Sequence, residues 1–476
     1  MSIARWSKPL TLLAMCLGLF MPQIDTNAVN LALPSIQRSL HTDVGALQWI
    51  IDSYNLMFAS LLVTGGTLGD LFGRKRLFLM GVMLFTLASL ICGFAPTLPI
   101  LVLGRVLQGV GAALELPGTL SILSVTYPDP QERTRAIAIW ASVLGLALAV
   151  GPTVGAFLVD TFGWQSIFFL NLPFGLLTLV ITMSVVGESS HPEGRHIDLP
   201  GQVLLALGLV TLTYAVIESQ ALGWGSPLII GCLVLSLLCL AGFVIIERRT
   251  SGPMVPLDIF RQRTFSFALA IASMMTFGMY GLFFLISLYL QSIKHNTPLV
   301  AGLQYLPLSI TFVLLSPITG RLMNRFGPRW LMAIGMGLMG CGLLLFTNLT
   351  TETSYAFLIA TMALIGVGLA FNTGPVMAAA VGAVSPARAG LASGLGNVAR
   401  MLGATLGVAV LGAIFASHLA GSHEAAPFLS GLHAAFLVGG CVELLGSLLA
   451  ILCIPRSIAP ASHTSLEESV PVSAHP

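Results

Sequence analysis

Charge is what this sequence has least of. Asp, Glu, Lys and Arg make up 8% of its 476 residues, where soluble domains carry roughly 25%, so water is not its main solvent. Polar stretches are few: 188 to 198, 247 to 264 and the segment from 455 onward. Each is too short to fold alone, which excludes an extramembrane catalytic domain. The seven Cys lack CxxC spacing, so neither a zinc site nor a disulfide framework is indicated, and they read as packing residues. None of the nine His falls in the middle of an apolar run, which argues against a histidine proton relay. No Lys follows a Gly, so the phosphate-cradling GxxxxGK[ST] loop of an ATP-driven pump is missing. HExxH and GxSxG are absent as well, and no catalytic residue, metal or cofactor is expected.

What the sequence has is apolar length. Hydrophobic residues make up 56%, gathered in runs of ~20, each long enough as a helix to cross a ~30 Å hydrocarbon core. Fourteen such runs are predicted, at 10–33, 47–67, 77–95, 99–122, 136–158, 165–186, 199–218, 227–246, 265–289, 300–322, 329–348, 354–380, 390–417 and 432–453. The first carries Asp25 and Asn30 and reads as a retained helix rather than a signal peptide. Basic residues test the count, because Lys and Arg in short loops collect on the cytoplasmic side. With the N-terminus inside, only Arg38 and Lys294 of the 21 fall outside, and only Arg105 and Arg400 fall within helices. Trp6, Trp49, Trp140, Trp164, Trp224 and Trp330 all sit near predicted helix ends, where an indole ring suits the headgroup region.

One internal repeat stands out. GTLGDLFGRK at 66–75 aligns with GRLMNRFGPR at 320–329, pairing Gly66 with Gly320, Leu68 with Leu322, Phe72 with Phe326 and Gly73 with Gly327. The first copy follows the second helix and the second follows the tenth. Two six-helix halves with two additional helices between them produce that offset. The expected divisions are 1–190 for the N-terminal bundle, 191–255 for the additional pair and its linkers, 256–455 for the C-terminal bundle, and 456–476 for a disordered cytoplasmic tail. Bundles repeated in this way place a substrate site at their interface near the midplane and rock about it.

The motifs, taken in order, resemble the major facilitator superfamily, specifically its fourteen-helix drug:proton antiporters of the EmrB/QacA type. IDTNAVNLALP at 24–34 is similar to that family's LDxTVVNVALP, with Asn27 in place of its Thr. GTLGDLFGRK resembles the superfamily's cytoplasmic signature, and LVLGRVLQGVGAA at 101–113 its pattern with a membrane-buried Arg. AVGPTVGA at 149–156 is close to the antiporter signature GPxxGG, with Ala156 for the second Gly. WQSIFFLNLPFG at 164–175 and PMVPLDIF at 253–260 complete the series. The resemblance implies an all-α membrane protein with both termini cytoplasmic, in the cell inner membrane, exporting small lipophilic or cationic compounds against protons. A substrate, protons and lipid are the expected partners, with no nucleic acid. A monomer is expected, and no motif reports a periplasmic adaptor.

Residue chemistry assigns roles beside the resemblance. Asp70 can accept from Arg74 across a turn made by Gly73, a charged conformational latch that the second copy, with Asn324, cannot form; the plain alternative is a tight turn. Gly151, Pro152 and Gly155 give the antiporter helix a smooth, bent face, suited to sealing the bundle or to ordinary packing.

A charge within the hydrocarbon costs at least ~2.5 kcal/mol, so each buried one is a candidate. Asp25 and Arg105 share a depth and read either as a proton-coupling pair or as a static ion pair. Glu115 stands where the family usually has an uncharged residue, and reads as a cavity carboxylate for cationic substrates or as a packed, protonated acid. Arg400 and Glu443 share a depth on successive helices and suggest a pair, while Asp52 reads as solvated. Asn27, Asn30, Tyr280, Phe284 and Arg400, with Glu115, are the candidate substrate-cavity residues. The competing functions are a facilitator or symporter for an organic solute, disfavoured by GPxxG, and a membrane-embedded enzyme, for which no constellation exists.

Overall fold

The computed structural model describes residues 3–190, 198–250, 253, 255–385, 388–419 and 424–456. Arg195, Met254 and the expected tail beyond Arg456 lie outside them. Thirteen helical segments among these residues are long and apolar enough to cross a membrane. One, Pro298–Asn348, has 51 residues, which as a straight helix would span ~75 Å, far beyond any bilayer. It folds back at Gly327, whose φ of 77° and ψ of 165° break the helix. The two arms then lie on one neighbour: Thr319 bonds the Ala370 carbonyl at 3.1 Å from one side, and the Asn372 amide meets Met336 from the other. The described residues therefore make fourteen crossings, as the hydropathy pattern predicts.

The first half contains α1 (Ile3–Leu40), α2 (Val44–Phe72), α3 (Arg74–Gly93), α4 (Leu98–Thr126), α5 (Pro130–Phe162) and α6 (Ser166–Val185). The additional pair is α7 (Leu199–Leu222) and α8 (Pro227–Arg249). The second half contains α9 (Arg263–Leu288, continued by a π turn at Tyr289–Ile293), α10 (298–326), α11 (328–345), α12 (Tyr355–Gly382), α13 (Ala389–Leu419) and α14 (Ala425–Cys453). Helix starts are fixed by capping. Asp43 accepts from Ala46 N at 2.8 Å, Asp129 from Glu132 N at 2.9 Å and Asp198 from Gly201 N at 2.9 Å, each meeting an otherwise unsatisfied donor. Several helices overrun their apolar runs at both ends, α1 and α5 most of all, because polar end turns remain helical in the headgroup region.

The repeat extends into the packing. An added Cβ on Gly81 of α3 would lie 2.7 Å from the Gly111 carbonyl and 2.9 Å from the Glu115 Cβ on α4. On α11, Gly335 meets the Gly368 carbonyl at 2.7 Å and the Asn372 Cβ at 3.1 Å of α12 in the same way. Glu115 thus occupies the position that Asn372 fills in the other half. The two repeat loops also close alike. Gly73 (φ 109°) packs on Glu188, just after α6, whose carboxylate accepts from Lys75 N at 3.0 Å and Arg76 N at 3.2 Å at the start of α3. Gly327 packs on the Arg456 carbonyl, just after α14. Outside the spans, Arg388 pairs with Asp258 and holds its carboxyl below the usual range.

Candidate functional site

The deepest polar cluster is built on α1, α3, α4 and α6. Arg105 is 1% exposed and donates through Nη1 to Asp25 Oδ2 at 2.5 Å and to Gln108 Oε1 at 2.8 Å. Its Nε donates to the Ile50 carbonyl at 2.9 Å, and its guanidinium stacks over the Tyr54 ring at 4.4 Å. Asp25 Oδ1 accepts from the Asn171 amide at 2.8 Å and the Gln108 amide at 3.3 Å, and Ser89 Oγ ties both amides together at 3.2 and 2.8 Å. Every described partner of Asp25 is a donor, the set that an ionised carboxylate takes. Sequence reasoning reached Asp25 and Arg105 through depth, and missed Gln108, Asn171 and Ser89. Gln108 could have been found, since it lies one turn from Arg105 on the same helix face.

The other candidates separate. Asn27, Asn30 and Pro152 line a narrow crevice between the halves, closed by Phe283 of α9 and by Tyr305 just before the main run of α10. Asn30 leaves its Oδ1 without a partner among the described residues. The Tyr280 ring is tilted against that of Phe283, with centroids 6.5 Å apart, and Arg400, half-buried, lies within electrostatic reach of Tyr280. Phe284 packs inside the second half and does not line the crevice. Glu115 is sealed between α3 and α4, away from the crevice, and neither carboxyl oxygen has a partner among the described residues. The crevice has no room even for a water molecule, so it is shut in this conformation.

Two expectations need correction. Arg400 and Glu443 form no ion pair among the described residues: Glu443 turns onto the α9 backbone at Gly278, while Arg400 belongs with Tyr280. Equal depth sets height along the bundle but not direction around it. Asp52 is not solvated; it is completely buried.

The latch residues do meet, with Asp70 Oδ1 accepting from Arg74 Nε at 2.9 Å and Nη2 at 2.8 Å. Gly151 and Gly155 admit α1, an added Cβ falling 2.9 Å from Asn27 Cβ and 2.5 Å from Ala28 Cβ. Contacts between the halves concentrate at the end away from the chain termini. Ser287 donates to the Asn30 carbonyl at 2.7 Å, Gln291 to the Leu31 carbonyl at 2.9 Å, and Gln48 to the Val408 carbonyl at 2.8 Å. That end is closed.

Known proteins bear on this geometry. The chain is 40% identical over 415 residues to the multidrug resistance protein Stp of Mycobacterium tuberculosis (strain CDC 1551 / Oshkosh), covering 87% of this chain and 77% of that protein. It is 32% identical to a methylenomycin A resistance protein of Streptomyces coelicolor (strain ATCC BAA-471 / A3(2) / M145), covering 93% and 92%. The fold matches a crystal structure of an auto-inhibited POT family peptide transporter with a TM-score of 0.71 at 16% identity, covering 93% of this chain and 96% of that one. A family model described as Major Facilitator Superfamily matches residues 15–407 and 267–476, and with fourteen apolar crossings and a repeated loop this chain belongs to that superfamily as a multi-pass membrane protein.

Proposed function

We propose that this chain exports small lipophilic or cationic compounds across the cell inner membrane, driven by protons, as a monomer with both termini in the cytoplasm. The observation that carries this reading is the Asp25–Arg105 pair, a carboxyl and its cation buried within the first half, on the same helix that brings Asn27 and Asn30 to the crevice between the halves. The roles for which the relatives are named, multidrug and methylenomycin A resistance, favour export of foreign or toxic molecules. Substrate enters from the terminal end and contacts Asn27, Asn30 and the Tyr280 and Phe283 rings. Rocking then parts the far-end contacts. Movement of α4 against α1 withdraws Arg105 from Asp25, which takes a proton and resets the cycle. Reconstituted protein should accumulate a cationic dye only when a pH gradient is imposed, and drug accumulation in a deletion strain should fall on complementation and recover with a protonophore. Transport unaffected by collapse of the gradient would reject the reading.

Orientation has its own test. Single cysteines placed beside Lys294 or Glu352 should react with an impermeant maleimide on intact cells, and those beside Arg74 or Arg261 should not. Labelling at Arg261 from outside would invert or break the arrangement.

Asp70 and Arg74 are assigned the role of latch at the cytoplasmic end. Charge-assisted hydrogen bonds contribute about 1.5–3 kcal/mol, so Asp70→Asn should lower transport roughly tenfold or more at unchanged membrane abundance. Asn324→Ala, lacking such a bond, should stay within about twofold. Equal losses would reduce both loops to turns.

A further inference from the structure

The far-end seam between the halves holds polar groups without partners. Gln48 of α2 crosses to α13, donating to the Val408 and Ala409 carbonyls at 2.8 and 2.9 Å while its side chain rests on Gly412. One helical turn along the same face is Asp52, and another turn on is Asn55. Both are completely buried, and no side-chain oxygen or nitrogen of either has a partner among the described residues. The antiparallel register sets Thr405 of α13 opposite them, its hydroxyl also buried and unpartnered. Helix α7 closes the third side, bonding α2 through Trp49 and Glu218 at 2.9 Å and packing Val216 and Ile217 on Ala409 and Ala413 of α13.

No cation among the described residues reaches Asp52. Arg105 on α4 is committed to Asp25 and the Ile50 carbonyl. On α13, Arg400 lies within electrostatic reach of Tyr280 and forms no ion pair among the described residues, and His418 bonds its own helix at the Ile414 carbonyl. On α7, Glu218 is bonded to Trp49, and Tyr214 packs on the Trp49 ring. On α1, Asp25 is already paired, Arg38 at the helix end is bonded to Ser35, and Lys8 near the opposite end pairs with Glu132. An ionised carboxylate shut into this junction would have nothing to offset its lost hydration. A carboxylic acid would instead bring an O–H that the Asn55 or Thr405 oxygen can accept.

We propose that Asp52 is a second protonation site whose proton uptake accompanies closure of the far-end seam, within the rocking cycle on which this assignment rests and separately from Asp25. The closed seam holds the acid; the open seam exposes the carboxylate to water. One proton binds per closure and leaves per opening. Because the closed state binds one proton more, each unit of rising pH favours the open state tenfold over the range in which the exposed carboxyl is ionised and the enclosed acid still holds its proton.

The test uses the full chain in liposomes, with its seven native cysteines replaced and spin labels attached at Val44→Cys and Ser417→Cys, at the far ends of α2 and α13. Pulsed electron resonance then reads their separation from pH 5 to 8.5. The parent protein should shift from a short to a long separation as pH rises. Asp52→Asn should hold the short separation throughout, and Asp52→Glu should restore the titration. A separation independent of pH in the parent, or an undiminished shift in Asp52→Asn, overturns the assignment. Dye uptake in the same liposomes separates the two readings. A titrating seam without gradient-driven uptake removes proton-driven export and leaves Asp52 in place; driven uptake with a pH-insensitive seam removes Asp52 alone.

Discussion

Asp25→Asn should bring gradient-driven export down to the level of empty liposomes. The substitution conserves volume but removes the titrating group, and it presents an amide to a shell of donors built for a carboxylate. It also leaves Arg105, 1% exposed, without its counter-charge. Removing one partner of a buried pair costs about 3–5 kcal/mol, whereas replacing both charges with neutral groups of similar size is often close to neutral. That asymmetry separates coupling from architecture. Asp25→Asn alone should reduce membrane abundance as well as transport, and Asp25→Asn combined with Arg105→Met should recover abundance while transport stays absent. Recovery of transport in the double variant would make the pair a static brace between α1 and α4, and the coupling carboxyl would have to be sought elsewhere.

Helix number and order were legible because hydropathy and basic-residue placement report two independent properties of the same loops. The turn at Gly327 was legible as well, since the copied Gly73 loop and its basic residues Arg321, Arg325 and Arg329 mark it, even though the helix resumes at once beyond the glycine. Asp25 and Arg105 were found through a shared depth, which sufficed because both point inward within one bundle. Depth failed for Arg400 and Glu443, which share a height and face different helices. It failed for Asp52 in another way: proximity to a helix end suggests water, but α13 and α7 cover that face, and such cover is decided by packing between distant segments. Asn171 and Ser89 were missed because an amide or hydroxyl in a helix carries no cost large enough to flag it. Tyr305 was missed because it joins the crevice only once α10 meets α5.

Gly302 and Gly155 should fail in opposite ways when enlarged. Gly155 lies within the first half, where α5 touches α1 and an added Cβ would fall 2.5 Å from Ala28 Cβ. Gly302 lies in the second half and presses on the first, with Ala156 Cβ in the space its own Cβ would need and the Pro152 carbonyl 2.9 Å away. Overpacking costs about 1–3 kcal/mol in either place, but the state that bears the cost differs. In Gly155→Leu the strain is present in every conformation of the bundle, so folded protein should become scarce. In Gly302→Leu it is present only while the far end is closed, so the protein should fold and remain abundant. An energy of this size shifts a two-state equilibrium roughly 5- to 150-fold. Transport by Gly302→Leu should fall by a similar factor, because the closed conformation must be visited once in each cycle. An impermeant thiol reagent applied from the far side should then modify a cysteine placed at Asn30 rapidly in Gly302→Leu and slowly in the parent. Unchanged reactivity with lost transport would show that Gly302 does not meet α5 in the closed state, and would remove the far-end contact from the rocking scheme.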